Sequence, residues 1–84
     1  MSPVVGPVLA KDGGYAFDVW TPERGLSCSF RYPRAEDAYY ARRVEIRYFA
    51  RPNLKTPVSC DTVDEFQAAL AQRRLSAERL SATH

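Results

Sequence analysis

The chain has very little with which to run polar catalysis. Its one histidine is the terminal residue, His84, and chain ends usually lack the contacts that would orient a general base. No histidine-centred triad is therefore expected, and Ser27, Cys28 and Ser29 have no activating neighbour in the sequence. The only two cysteines, Cys28 and Cys60, have neither the CxxC nor a metal-ligand spacing. They read as two buried thiols in a reducing compartment and not as a disulfide. Long hydrophobic runs are missing too. The uncharged opening from Met1 to Ala10 is broken by Pro3, Gly6 and Pro7 and lacks a basic start, so it reads as neither signal peptide nor membrane span. A cytoplasmic protein is the expectation. Gly13-Gly14 precedes a strand pattern, whereas a phosphate-cradling loop opens a helix, so these glycines read as a turn. No catalytic residue, metal or cofactor is assigned, and the chain is expected not to be an enzyme.

What is present divides into well-marked segments within one expected small domain, residues 1–84, with a frayed tail over 81–84. Residues Val4 to Leu9 are apolar and extended in character, followed by "KDGG", whose residues tolerate the positive φ of a hairpin turn. "YAFDVW" alternates, with Tyr15, Phe17 and Val19 on one face. "TPERG" supplies a second turn with Pro22 and Gly25 in favoured places. "LSCSFRY" alternates again, Leu26, Cys28, Phe30 and Tyr32 opposing Ser27, Ser29 and Arg31. A hairpin over 15–20 and 26–32 follows, and its apolar faces are expected to coincide.

From Pro33 to Pro52 there is no Gly, Pro, Asn or Ser across 18 residues, about three times the length of a usual strand. A helix over 34–50 is expected, with Glu36 and Asp37 at its positive end and Arg47 and Arg51 near its negative end. The alternative is a short helix followed by a strand from about Arg42, because "RRVEIRYFA" alternates locally. Residues 51–61 form a Pro-rich loop with a short edge strand near Val58 to Cys60. Thr62 and Glu65 then stand as a capping box for a second helix over about 62–75, which Ser76 either recaps or lets run on. Its apolar stripe holds Val63, Phe66, Ala69, Leu70, Ala77 and Leu80, with Arg73 among them. The sum is an α+β fold: a small antiparallel sheet of two to four strands packed with two helices. The lone Trp20 is expected in the core or at its rim.

The first helix carries two apolar stripes. Ala35, Ala38, Tyr39, Ile46, Phe49 and Ala50 fall together, with Arg42 inside the stripe, and are expected to cover the sheet. Tyr40, Ala41, Val44 and Tyr48 lie on the far side and need a cover of their own: the second helix, a second copy of the chain in a homodimer, or another protein. Charge is also concentrated here. The net charge is only +2, but residues 34–55 hold six basic against three acidic residues. Arg43 and Arg47, with Arg51 continuing the line, form a basic ridge. Ten arginines against two lysines suit phosphate recognition, though GC-rich codon usage gives the same ratio. The expected function is therefore a small binding or regulatory protein acting by protein–protein contact, of the kind found among bacterial and phage accessory factors. Its contact residues would be Tyr40, Val44, Tyr48, Arg43, Arg47 and Arg51. The alternative is a nucleic-acid-binding module that uses the same arginines, with tyrosine for stacking.

Overall fold

In the computed structural model, which describes residues 2–50 and 56–82, the chain folds in the order β1 (Val4–Val5), β2 (Leu9–Lys11), β3 (Gly14–Ala16), β4 (Asp18–Thr21), β5 (Gly25–Cys28), α1 (Ala35–Phe49), β6 (Val58–Ser59) and α2 (Val63–Ala82). Four strands form a sheet in the order β5-β4-β1-β6, and β2 with β3 forms a two-stranded ribbon. This is the α+β architecture read from the sequence. The expected long helix is unbroken from Ala35 to Phe49, so the alternative of a strand from Arg42 falls. The sheet, however, is mixed and not antiparallel. β6 lies parallel to β1, the Cys60 N–H donating to the Val5 carbonyl at 2.9 Å, because α1 crosses over the sheet between β5 and β6. α2 also runs past Leu75 and Ser76 to Ala82. Ala77 and Leu80 lie beyond the side chains the structure describes, as do residues 83–84 of the expected tail.

The two turns set everything between them. Lys11 pairs with Gly14, leaving Asp12 (φ 50°) and Gly13 (φ 82°) as a two-residue loop with both φ positive, the type I′ geometry that matches strand twist. In the second, Thr21 pairs with Gly25 across three loop residues. The Thr21 hydroxyl accepts the Arg24 N–H at 3.2 Å, and Gly25 takes φ 73°. That loop length fixes the β4–β5 register as Val19↔Ser27 and Trp20↔Leu26.

The expected coincidence of apolar faces is therefore wrong by one residue, and a slip of one turns every side chain to the other face. Ser27 shares a face with Val19, while Leu26 is left 55% exposed on the opposite one. Beyond Cys28 the pairing continues: Ser29 N–H donates to the Phe17 carbonyl at 2.9 Å, then Tyr15 and Tyr32 exchange both backbone bonds. The second strand spends one residue more than the first between these pairs, which makes a bulge at Phe30 and Arg31. Phe30, expected inside, is 85% exposed there.

Val4 and Val5 are wholly buried, and successive strand residues point to opposite faces. Val4 packs with Cys60, Phe66, Ala69 and Leu70, with Trp20 at the edge of the cluster. Val5 packs with Phe17 and Val19, against which Ala41, Ile46 and Phe49 are set. α2 thus covers one face of the sheet and α1 the other. Tyr39, expected against the sheet, is mostly exposed at the rim of α1, while Ala41, assigned to the far stripe, packs inward. Cys60 is buried as expected, but Cys28 is exposed, and both are free. Cys28 ends one edge strand and Cys60 follows directly on the opposite one, three strand spacings or about 14 Å away, which no disulfide bridges.

Arg42 is the polar member of the inward stripe. Its Nε donates to the Gly6 carbonyl at 2.8 Å and its Nη2 to the Cys60 carbonyl at 2.7 Å, which ties α1 to the chain leaving β1 and the chain leaving β6. Asp61 stands 3.9 Å from the same guanidinium but is exposed, so it adds little. At the start of α2 the Glu65 N–H donates to the Thr62 hydroxyl at 3.1 Å. The Glu65 carboxylate accepts from Asp61 N–H, one residue earlier than the expected reciprocal partner.

Two stability outcomes follow. Arg42→Met removes two charge-assisted bonds and strands two half-buried carbonyls, so urea denaturation should show a loss of about 2–4 kcal/mol, with Arg42→Lys recovering only part because an ammonium cannot span both acceptors. Thr62→Ala should cost about 1 kcal/mol through the lost cap.

Candidate functional site

Two residues of the far stripe of α1, Tyr40 and Val44, stand largely exposed among the described residues, while Ala41 packs inward. Phe66 and Leu70 of α2, the expected internal cover, are engaged with Val4 on the other face of the sheet. Tyr40 is left 64% exposed and Val44 47% exposed, with Tyr48 half in solvent beside them. The Tyr48 ring meets Phe49 edge-on at 5.4 Å between centroids, which fixes its place at the end of the stripe.

These side chains do not face open solvent evenly, because they overhang the β5 edge of the sheet. Two adjoining hollows of about 580 and 560 Å³ lie between α1 and β5. The first is walled by Tyr40 and Val44 and by Ser27 and Phe30; the second continues past Ser27 to Tyr48. Val19, Arg24, Ser27 and Glu45 belong to both, so they form one groove along the strand. Its origin is the β4–β5 register. Under α1 the strand presents Ser27 and Ser29, whose side chains are too small to reach the helix and instead hydrogen-bond locally: the Ser27 hydroxyl donates to the Val19 carbonyl at 3.4 Å, and the Ser29 hydroxyl accepts the Phe17 N–H at 3.1 Å.

Arg43 and Arg47 are exposed on α1 next to the stripe, and no described carboxylate lies within ion-pair distance of either. Glu36, at the head of the same seam, pairs with Arg34 at 3.8 Å. Arg51, the third residue expected in the ridge, lies outside the described residues. Of the six contact residues expected from the sequence, the structure thus brings Tyr40, Val44 and Tyr48 together and sets Arg43 and Arg47 beside them. Sequence reasoning missed Ser27, Phe30, Arg24 and Glu45. Counting the three residues between Thr21 and Gly25 would have placed Ser27 opposite Val19.

Burial, and then the hydrogen bond and charge of Asp18, hold the Cys28 thiol above its ordinary range; burial likewise raises Cys60, with Glu65 adding to it. Thiols held protonated are weak nucleophiles. Among the described residues no group of three or more His, Cys, Asp or Glu side chains is placed to hold a metal ion, and no helix is long and apolar enough to cross a membrane. Comparison of the chain with protein-family models, with curated proteins and with solved structures gives no match.

Proposed function

We propose that the chain is a small non-enzymatic binding protein of the cytoplasm, acting by contact with another protein through Tyr40, Val44 and Tyr48. The observation that carries this reading is the position of α2. Once α2 is committed to the opposite face of the sheet, Tyr40 and Val44 remain exposed on α1 among the described residues, with Tyr48 half exposed beside them. Tyrosine suits such a surface, since the ring is buried in a complex while the hydroxyl stays hydrated. Exposed apolar groups that adjoin a groove mark interaction sites more often than isolated ones do. A regulatory or accessory role fits a chain whose described surface offers an aromatic and aliphatic contact stripe.

The second reading, nucleic-acid binding, draws on Arg43 and Arg47, which are exposed with no carboxylate of the described residues paired to them. It requires binding to labelled DNA or RNA at low salt that falls steeply as salt rises.

Val44→Glu separates the two. Val44 is a half-exposed surface position, so stability should change by no more than about 0.5 kcal/mol. Proteins captured from a lysate by the wild-type chain should be lost with the variant. If the same proteins are retained, the stripe is not the contact surface. If light scattering shows a dimer that Val44→Glu converts to monomer, the partner is a second copy of this chain.

A further inference from the structure

Resting on that reading of the α1 stripe, we propose that the stripe and the free edge of β5 are one site. It takes up an extended segment of another protein as a fifth strand, apolar at alternate positions and acidic at its flanks.

The backbone supplies the first half of the argument. β5 ends the sheet. Ser29 N–H bonds inward to Phe17, and inward and outward bonding alternate along an antiparallel pair. Gly25, Ser27 and Ser29 are thus the residues bonded to β4, while Leu26 and Cys28 turn their N–H and C=O groups away from it. No described segment pairs with that side of β5. A chain lying there would gain hydrogen bonds without breaking any.

Side-chain spacing supplies the second half. Tyr40, Val44 and Tyr48 recur every four residues, about 6 Å along a helix axis. Alternate residues of a strand recur about every 6.7 Å. The side chains of a fifth strand that face α1 would therefore keep step with the stripe, entering the groove of about 580 Å³ that Ser27 leaves open. Its other side chains would meet the exposed Leu26 on the α2 side of the sheet.

This geometry also argues against a second copy as occupant. Pairing β5 with its own copy would place that strand's Ser27 and Ser29 under the tyrosines, where they fill the groove less well than larger apolar side chains at alternate positions do. Charge favours acidic flanks. Arg24 at the turn end, with Arg43 and Arg47 beside the stripe, outnumber Glu23 and Glu45, and no described carboxylate pairs with the three arginines.

The test is to pan a random displayed-peptide library on the full chain and resynthesise the enriched peptides. Enrichment should favour apolar residues at every second position with Asp or Glu outside them. Methylating the peptide's backbone nitrogens one at a time should then weaken binding about tenfold or more at one parity only, the scale of a lost backbone hydrogen bond. Cys28→Pro removes an outward N–H that the sheet does not use, and should weaken the same peptides by a like factor. If that variant fails to fold, the methylation scan decides alone. No enrichment, a spacing of three and four residues, or indifference to methylation overturns the proposal, as does a wild-type dimer that Cys28→Pro dissociates. Peptides lost with Val44→Glu but indifferent to methylation would sink the strand while leaving the contact surface. Peptides that bind Val44→Glu as well as wild type would sink both.

Discussion

The Arg42 guanidinium is the constraint around which the rest is arranged. A sheet whose inner strand β1 has only two residues and whose edge strand β6 has two more cannot align a helix by strand contacts alone. Arg42 supplies the alignment by donating to Gly6 just after β1 and to Cys60 just after β6. Both acceptors are backbone carbonyls left over where the ladder stops, groups that would otherwise face an apolar interior unpaired. The planar fork spans two acceptors on adjacent strands, which an apolar residue at the same helix position could not do. Arg73 does comparable work for α2, donating to the Ser2 carbonyl while its guanidinium lies 5.6 Å from the centroid of Trp20. Each helix is therefore registered on the sheet by one arginine set within its apolar stripe.

Once α1 is held at that angle, its stripe cannot turn inward. Arg42, Ile46 and Phe49 are committed to the sheet, so Tyr40, Val44 and Tyr48 point past its β5 edge. The sheet could have filled the space beneath them had β5 been in the other register, with Leu26 and Cys28 facing α1. The three-residue loop and the positive φ of Gly25 forbid that, and they put serines there instead. The groove, the exposed stripe and the exposed Leu26 are consequences of one turn length.

The elements themselves were legible in the residues. Absence of breakers gave α1, the Thr62–Glu65 spacing gave the start of α2, and the turn residues of Lys11 to Gly14 and Thr21 to Gly25 gave both hairpins. Within β4 and β5 alternation also identified which residues share a face, but past the bulge it failed: Tyr32 packs with Val5, Phe17 and Val19 and not with Leu26. What alternation cannot supply is how two alternating strands are phased against each other, since both registers look equally regular. That phase depends on one loop residue more or less and on φ at Gly25, quantities fixed by backbone geometry and not by hydrophobicity. The same limit applies to α2. Its stripe fits either the far side of α1 or the far side of the sheet, and only the burial of Val4 and Val5 in opposite directions, which demands a helix on each face, decides between them.

An exposed sheet edge is ordinarily a hazard, and proteins blunt it with short strands, bulges or charge. β5 has two of these devices: it is four residues long, and the bulge at Phe30 and Arg31 interrupts it. Neither touches the central pair of outward-facing residues, Leu26 and Cys28. The opposite edge, β6, is only two residues long and opens directly into α2, which leaves little length for a partner to pair with. The asymmetry is informative because both edges belong to the same small sheet. The longer edge is the one that lies beneath the exposed Tyr40 and Val44, so the free side of β5 and the exposed stripe face the same space.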